Sequence, residues 1–177
     1  MRNVKDRKTI RKYSKKEVDD NMLRRLLETA ERTPTMGNLQ LYSVIITRDK
    51  SKKAALAPAH FNQPMATEAP VVLTFCADYN RSTQWCLQRR ATPGYDTFLS
   101  FLNAAIDTLL YCQTFCNMAE QQGLGLCFLG TTIYNPQQII ETLRLPQLVM
   151  PIATITLGWP DEEGSVSDRL PINAIIH

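Results

Sequence analysis

The chain has 177 residues and a mass of 20.1 kDa, with 44% hydrophobic residues, 21% charged residues and no repeat or low-complexity tract. A chain of this size buries roughly 70% of its unfolded surface, so the composition excludes the disordered and fibrous classes and fits one globular domain over 1–177. The formal charge of +3 hides a strong polarity: residues 1–53 hold 15 of the 20 Lys and Arg against 7 acids, whereas residues 54–177 hold 5 against 10.

In chain order, the arm 1–13 is basic. No apolar h-region follows it, and the longest apolar runs, such as APVVLTFCA (69–77), fall short of the roughly 20 residues that cross a bilayer. A cytoplasmic protein is expected. Ser14-Lys15-Lys16-Glu17 fits a capping box, and Val18, Met22, Leu23, Leu26, Leu27 and Ala30 recur at helical spacing up to Thr33-Pro34. SVIIT (43–47) and APVVLTFCAD (69–78) read as buried strands that pair. The polar stretch 81–96, broken by Pro93-Gly94, reads as a loop with a short helix, and 81–103 as a candidate lid.

The run from Phe98 to Gln122 is apolar around most of its circumference and ends at Gly123 and Gly125, which predicts a helix buried in the core or against a partner chain. LCFL (126–129) is a short strand, Asn135-Pro136 starts a helix over 136–144, and MPIATITLGW (150–159) is the last buried strand. The tail 161–177 is polar and then apolar again at Pro171, Ile172, Ile175 and Ile176; it packs either on its own domain or across a dimer interface. Five cysteines without a CxxC pair, and two histidines, favour buried free thiols and no metal site.

Three stretches could build a ligand site. Arg7, Lys8, Thr9 and Arg11 offer charged donors and a hydroxyl suited to a phosphate, with a solvated basic arm as the alternative. TPTMGNLQLY (33–42) sets amide side chains in a row, able to read the edge of a heterocycle or simply to make a turn. GLGLCFLGTT (123–132) brings a Gly-rich turn and then Gly130, where the missing Cβ lets a backbone N–H approach a flat ligand. It satisfies neither the dinucleotide-binding nor the P-loop pattern.

In this order the stretches resemble the FMN-dependent nitroreductase family over most of the chain. RKTIRKY resembles the opening R-x-S-x-R-x-F/Y element, TPTMGNLQLY the PSSxNxQPW loop, AIDTLLYCQTFCNMAEQQGLGLCFLG the central helix with its GLG-x-x-W-I-G turn, and LGWP with RLP the GYP…R-x-P close. The resemblance implies an α+β fold, with a mainly antiparallel central sheet flanked by helices in an intertwined homodimer. It places Arg7, Lys8, Thr9, Arg11 and Arg169 at the phosphate end of FMN. Pro34, Thr35, Met36, Asn38 and Gln40 would line the isoalloxazine ring from the other subunit, and Leu129, Gly130 and Thr131 would lie along the ring face. The implied activity is ping-pong transfer of hydride from NADH or NADPH through FMN to a nitroaromatic, quinone or similar small acceptor, with the cofactor and no side chain carrying the chemistry. The alternatives are a flavin-binding protein of the same fold without turnover, and a nucleic-acid-binding protein using the basic arm, for which no recognition motif is present.

Overall fold

The computed structural model describes residues 4–94 and 97–177. The start of the basic arm and two residues of the candidate lid thus lie outside the described residues. Four runs, three of them rich in β-branched residues, form one antiparallel sheet: β1 (Tyr42–Thr47), β2 (Val71–Asp78), β3 (Gly125–Leu129) and β4 (Val149–Gly158), in the order β1-β2-β4-β3. β1 and β2 pair from Tyr42 opposite Ala77 to Thr47 opposite Val72, as the apolar pattern predicts. All eight residues of β2 are buried, because the strand is central and covered on both faces.

Among the described residues, six α-helices surround the sheet: α1 (Asp20–Ala30), α2 (Lys50–Leu56), α3 (Pro64–Glu68), α4 (Asn80–Gln88), α5 (Phe98–Gln121) and α6 (Pro136–Leu143). α5 lays Tyr111, Cys112, Phe115, Cys116 and Ala119 into the main core beside Val71, Leu73, Phe75 and Ile155. The Tyr111 ring stacks on Tyr42 at 4.1 Å, and the Phe75 ring meets Phe115 at 5.8 Å. The opposite stripe of α5 remains open in the single chain: Phe98, Leu99, Leu102, Ile106, Leu109 and Leu110 are all exposed. Of the two predicted burials for this helix, its own core takes one face only. All five cysteines are free and buried, and no helix of the described residues is long and apolar enough to cross a membrane.

Two local expectations give way to longer-range contacts. The capping box at Ser14 does not form. Instead the Ser14 N–H donates to the Trp159 carbonyl at 2.9 Å, Tyr13 bridges Pro160, and the helix begins five residues later than the box requires, with the Asp19 side chain accepting from Met22 N–H at 2.8 Å. The short helix expected within the stretch 81–96 forms at Asn80–Gln88, where Asp78 accepts from the Arg81 N–H and the Asn80 amide donates to the Gln147 carbonyl. At α6 the Asn135 amide donates to the Ala59 carbonyl rather than capping its own helix.

Candidate functional site

The basic arm is laid down as part of the fold. Ile10 N–H donates to the Leu126 carbonyl of β3 at 3.0 Å, and Asp161 N–H donates to the Lys12 carbonyl at 3.0 Å, so the arm lies between β3 and the start of the tail. Its side chains alternate: Ile10 is buried, while Arg7, Thr9 and Arg11 turn to the other side. There they line a cleft of about 400 Å³ together with Gln113 of α5, Cys127 and Phe128 of β3, and Arg169 of the tail. Lys8 falls out of this set and borders a smaller, neighbouring recess with Asp6, Asn117 and Gln121, which Arg7 also lines.

The cleft is net positive. Arg7 Nε lies 3.6 Å from Glu120, and Arg169 Nη1 donates to the carbonyls of Ser167 and Asp168 at 3.1 and 2.9 Å, which holds its guanidinium at the rim. Glu162 accepts the backbone N–H groups of Arg11 and Lys12, and these two bonds pull its carboxyl below the usual carboxylate range. That carboxylate is thereby tied to the backbone of the arm. Burial raises the Cys127 thiol, opposed by the guanidinium groups of Arg11 and Arg7. The Tyr13 hydroxyl, 2.7 Å from the Ile10 carbonyl and 2.6 Å from Thr156 Oγ1, is also raised by burial and locks the arm to β4. It serves structure rather than proton transfer.

At the end of β3, Leu129 is buried with Met65, Ala66 and Cys127, so its side chain is committed to packing. Gly130 is exposed, and a Cβ there would meet nothing within 4 Å. Thr131 begins a tight turn in which the Tyr134 N–H donates to its carbonyl at 3.0 Å.

The loop carrying Pro34, Thr35, Met36, Asn38 and Gln40 is elsewhere. It is tied to α5 at Asp107, which accepts from Met36 N–H at 2.9 Å and Leu41 N–H at 3.4 Å. Asp107 and Glu120 are thirteen residues apart on one helix, about 20 Å at 1.5 Å per residue. Within one chain the loop and the arginine cleft are therefore not brought together. The loop holds Gly37, Asn38 and Gln40 at positive φ (56°, 56° and 53°), and the Gln40 amide donates to the Asn38 carbonyl at 3.2 Å.

Sequence reasoning missed Asp107, Gln113, Phe128 and His60. Asp107 had a readable signal, a lone acid inside the apolar run AAIDTLL. The others are placed by contacts that no local pattern records.

Sheet and flanking helices define an α+β protein that carries a net positive cleft. The sequence profile of the nitroreductase family matches residues 4–159. The chain is 31% identical over 182 residues to the FMN reductase (NAD(P)H) of Bacillus subtilis, covering 100% of this chain and 72% of that protein. It is 29% identical over 170 residues to the oxygen-insensitive NADPH nitroreductase of Salmonella typhimurium, covering 96% and 69%. A solved structure from Bacteroides fragilis superposes with a TM-score of 0.97 at 60% identity, covering 98% of this chain and 71% of that one. The chain belongs to the nitroreductase family, and its four-stranded antiparallel sheet with helices on both faces is the α+β fold expected of it.

Proposed function

We propose that the protein is an FMN-dependent oxidoreductase that passes hydride from NADH or NADPH to a nitroaromatic, quinone or similar small acceptor, working as a homodimer. The observation that carries this reading is the convergence of Arg7 and Arg11, from one end of the chain, with Arg169 from the other, on a cleft floored by β3. Such a net positive cleft fits a phosphomonoester, because guanidinium groups bind its oxygens bidentately and keep their charge. Arg7, Thr9, Arg11 and Arg169 would hold the phosphate, and the flat ring would lie against the open backbone at Gly130, beside the buried Thr131. Pro34, Thr35, Met36, Asn38 and Gln40 would complete the ring side of the partner's site, which their distance from the cleft of their own chain supports. Bound FMN would supply the two-electron chemistry; the residues named here bind, orient and exclude water.

The exposed stripe of α5 and the exposed Leu170, Ile172, Ile175 and Ile176 of the tail supply the apolar surface of the dimer. Sedimentation should show a flavin-loaded dimer; a flavin-loaded monomer contradicts the shared site. The purified protein should be yellow, or turn yellow with FMN, and should oxidise NADH or NADPH when menadione or nitrofurazone is supplied. Flavin binding without steady-state turnover would leave a binding protein in place of an enzyme.

Arg11→Ala and Arg169→Ala each remove charge-assisted hydrogen bonds of about 1.5–3 kcal/mol, so FMN affinity should fall roughly 10- to 150-fold in each. Gly130→Ala should leave thermal stability unchanged, since the new Cβ meets no protein atom within 4 Å, while weakening FMN binding. Unchanged affinity in all three variants, read by fluorescence titration, removes the site assignment.

A further inference from the structure

Beneath the Gly130 turn lies a histidine that the site so far does not use. His60 ends the tight turn Ala57–His60, just before Phe61 and Asn62, which both adopt positive φ (54° and 53°). Its ring is wholly buried, Nδ1 lies 3.0 Å from Thr131 Oγ1, and Nε2 has no hydrogen-bond partner. A buried N–H without an acceptor is rarer than an unpaired lone pair, so the proton sits on Nδ1 and is donated to the Thr131 hydroxyl. A leucine would fill this space without a buried, unpaired ring nitrogen, at the loss only of the bond to Thr131. The imidazole thus costs stability that packing alone does not require.

The surroundings show what it gives in return. The Thr131 side chain is gripped from inside by His60, while Gly130 next to it faces open space. The turn is tied further by Thr132 Oγ1 donating to the Leu129 carbonyl at 2.8 Å, and Ala59, adjoining His60, accepts from the Asn135 amide at 3.3 Å. The segment whose outer side is free is therefore fixed on its inner side through one specific hydrogen bond. A fully supported inner shell of this kind holds a binding surface in one geometry.

We infer that His60 is a positioning residue for the flavin: through Thr131 Oγ1 it fixes the turn Leu129–Thr131 against which the isoalloxazine ring would lie. The inference rests on the flavin site proposed above. Burial also depresses the imidazole to a pKa of about 4, which keeps it uncharged at neutral pH.

The test compares His60→Leu, His60→Asn, Thr131→Val and the double variant H60L/T131V by FMN fluorescence titration and by the visible spectrum of bound flavin. His60→Leu and Thr131→Val should each weaken FMN about tenfold, the worth of one well-placed hydrogen bond, and shift the bound-flavin band. The double variant should be no weaker than either single one, because both remove the same bond. His60→Asn, whose amide nitrogen can stand where Nδ1 stands, should bind within about twofold of the wild type. Wild-type affinity and spectrum in Thr131→Val, or single effects that multiply in the double variant, overturn the inference. Thr131→Val keeps the test decisive should His60→Leu fail to fold. A wild-type chain that takes up no FMN overturns the flavin reading and this inference together, whereas normal uptake with silent variants overturns the inference alone.

Discussion

Asp107→Ala is expected to lower the unfolding free energy by on the order of 3 kcal/mol. The carboxylate is fully buried and accepts the N–H groups of Met36 and Leu41, one on each side of the loop 37–40. Its removal leaves two donors without their partner, at a cost of about 1–3 kcal/mol for the buried Leu41 N–H and less for the part-buried Met36 N–H. The loop aggravates the loss. Asn38 and Gln40 hold positive φ, a conformation that costs a non-glycine residue about 1–2 kcal/mol and survives only where the surroundings enforce it.

For a chain of this length such a loss corresponds to about 6–12 °C in Tm. Asp107→Asn keeps one acceptor oxygen but turns an NH₂ group towards a backbone N–H, so it should fall between the wild type and the alanine variant. Urea unfolding of the three proteins measures this directly. A loss below about 1 kcal/mol in Asp107→Ala would mean that the loop is held by other contacts.

The second large effect is a dependence on pH that a single residue controls. His60 titrates near 6.5 in an unfolded chain and at about 4 in the folded protein, where burial opposes its charge. Between these values the unfolded state binds the extra proton, so stability falls as the pH is lowered from about 6.5 to about 4 and rises again on the return. The span corresponds to a loss on the order of 3 kcal/mol, complete once the pH lies below the folded value. Above pH 7 this contribution is constant. The carboxyls of Asp49 and Glu162, both held low by hydrogen bonds, lose their own contributions as the pH falls through their folded values. The His60 share is therefore isolated by comparing urea midpoints of the wild type with His60→Asn. The wild-type midpoint should fall relative to that of His60→Asn as the pH is lowered from 7 to 4.5, and a parallel pair of curves would contradict the assignment.

Much of the architecture was legible along the chain. SVIIT and APVVLTFCAD announce paired strands because β-branched runs bounded by turn residues suit a buried sheet, and the apolar run before Gly123 announces a long helix. Where reading failed, a distant partner had displaced a local one. Ser14 gives its N–H to Trp159 and cannot start a helix, and Asp19 caps α1 in its place. Arg7 and Arg169 are separated by 162 positions, and only the resemblance to a family suggested that they share a cleft.

From its own residue order this protein determines the strands, the long helix, the charge polarity and the turn at Gly130, since these follow from side-chain periodicity, β-branching and the absence of a Cβ. Tertiary structure alone decided that Lys8 leaves the arginine cleft, that Asp107 clamps a loop of strained residues and that His60 grips Thr131 from below. The physical reason is reach. Periodicity acts over a few neighbouring residues, whereas a clamp, a cleft or a buried imidazole exists only after segments 66 or more positions apart have been packed within hydrogen-bonding distance.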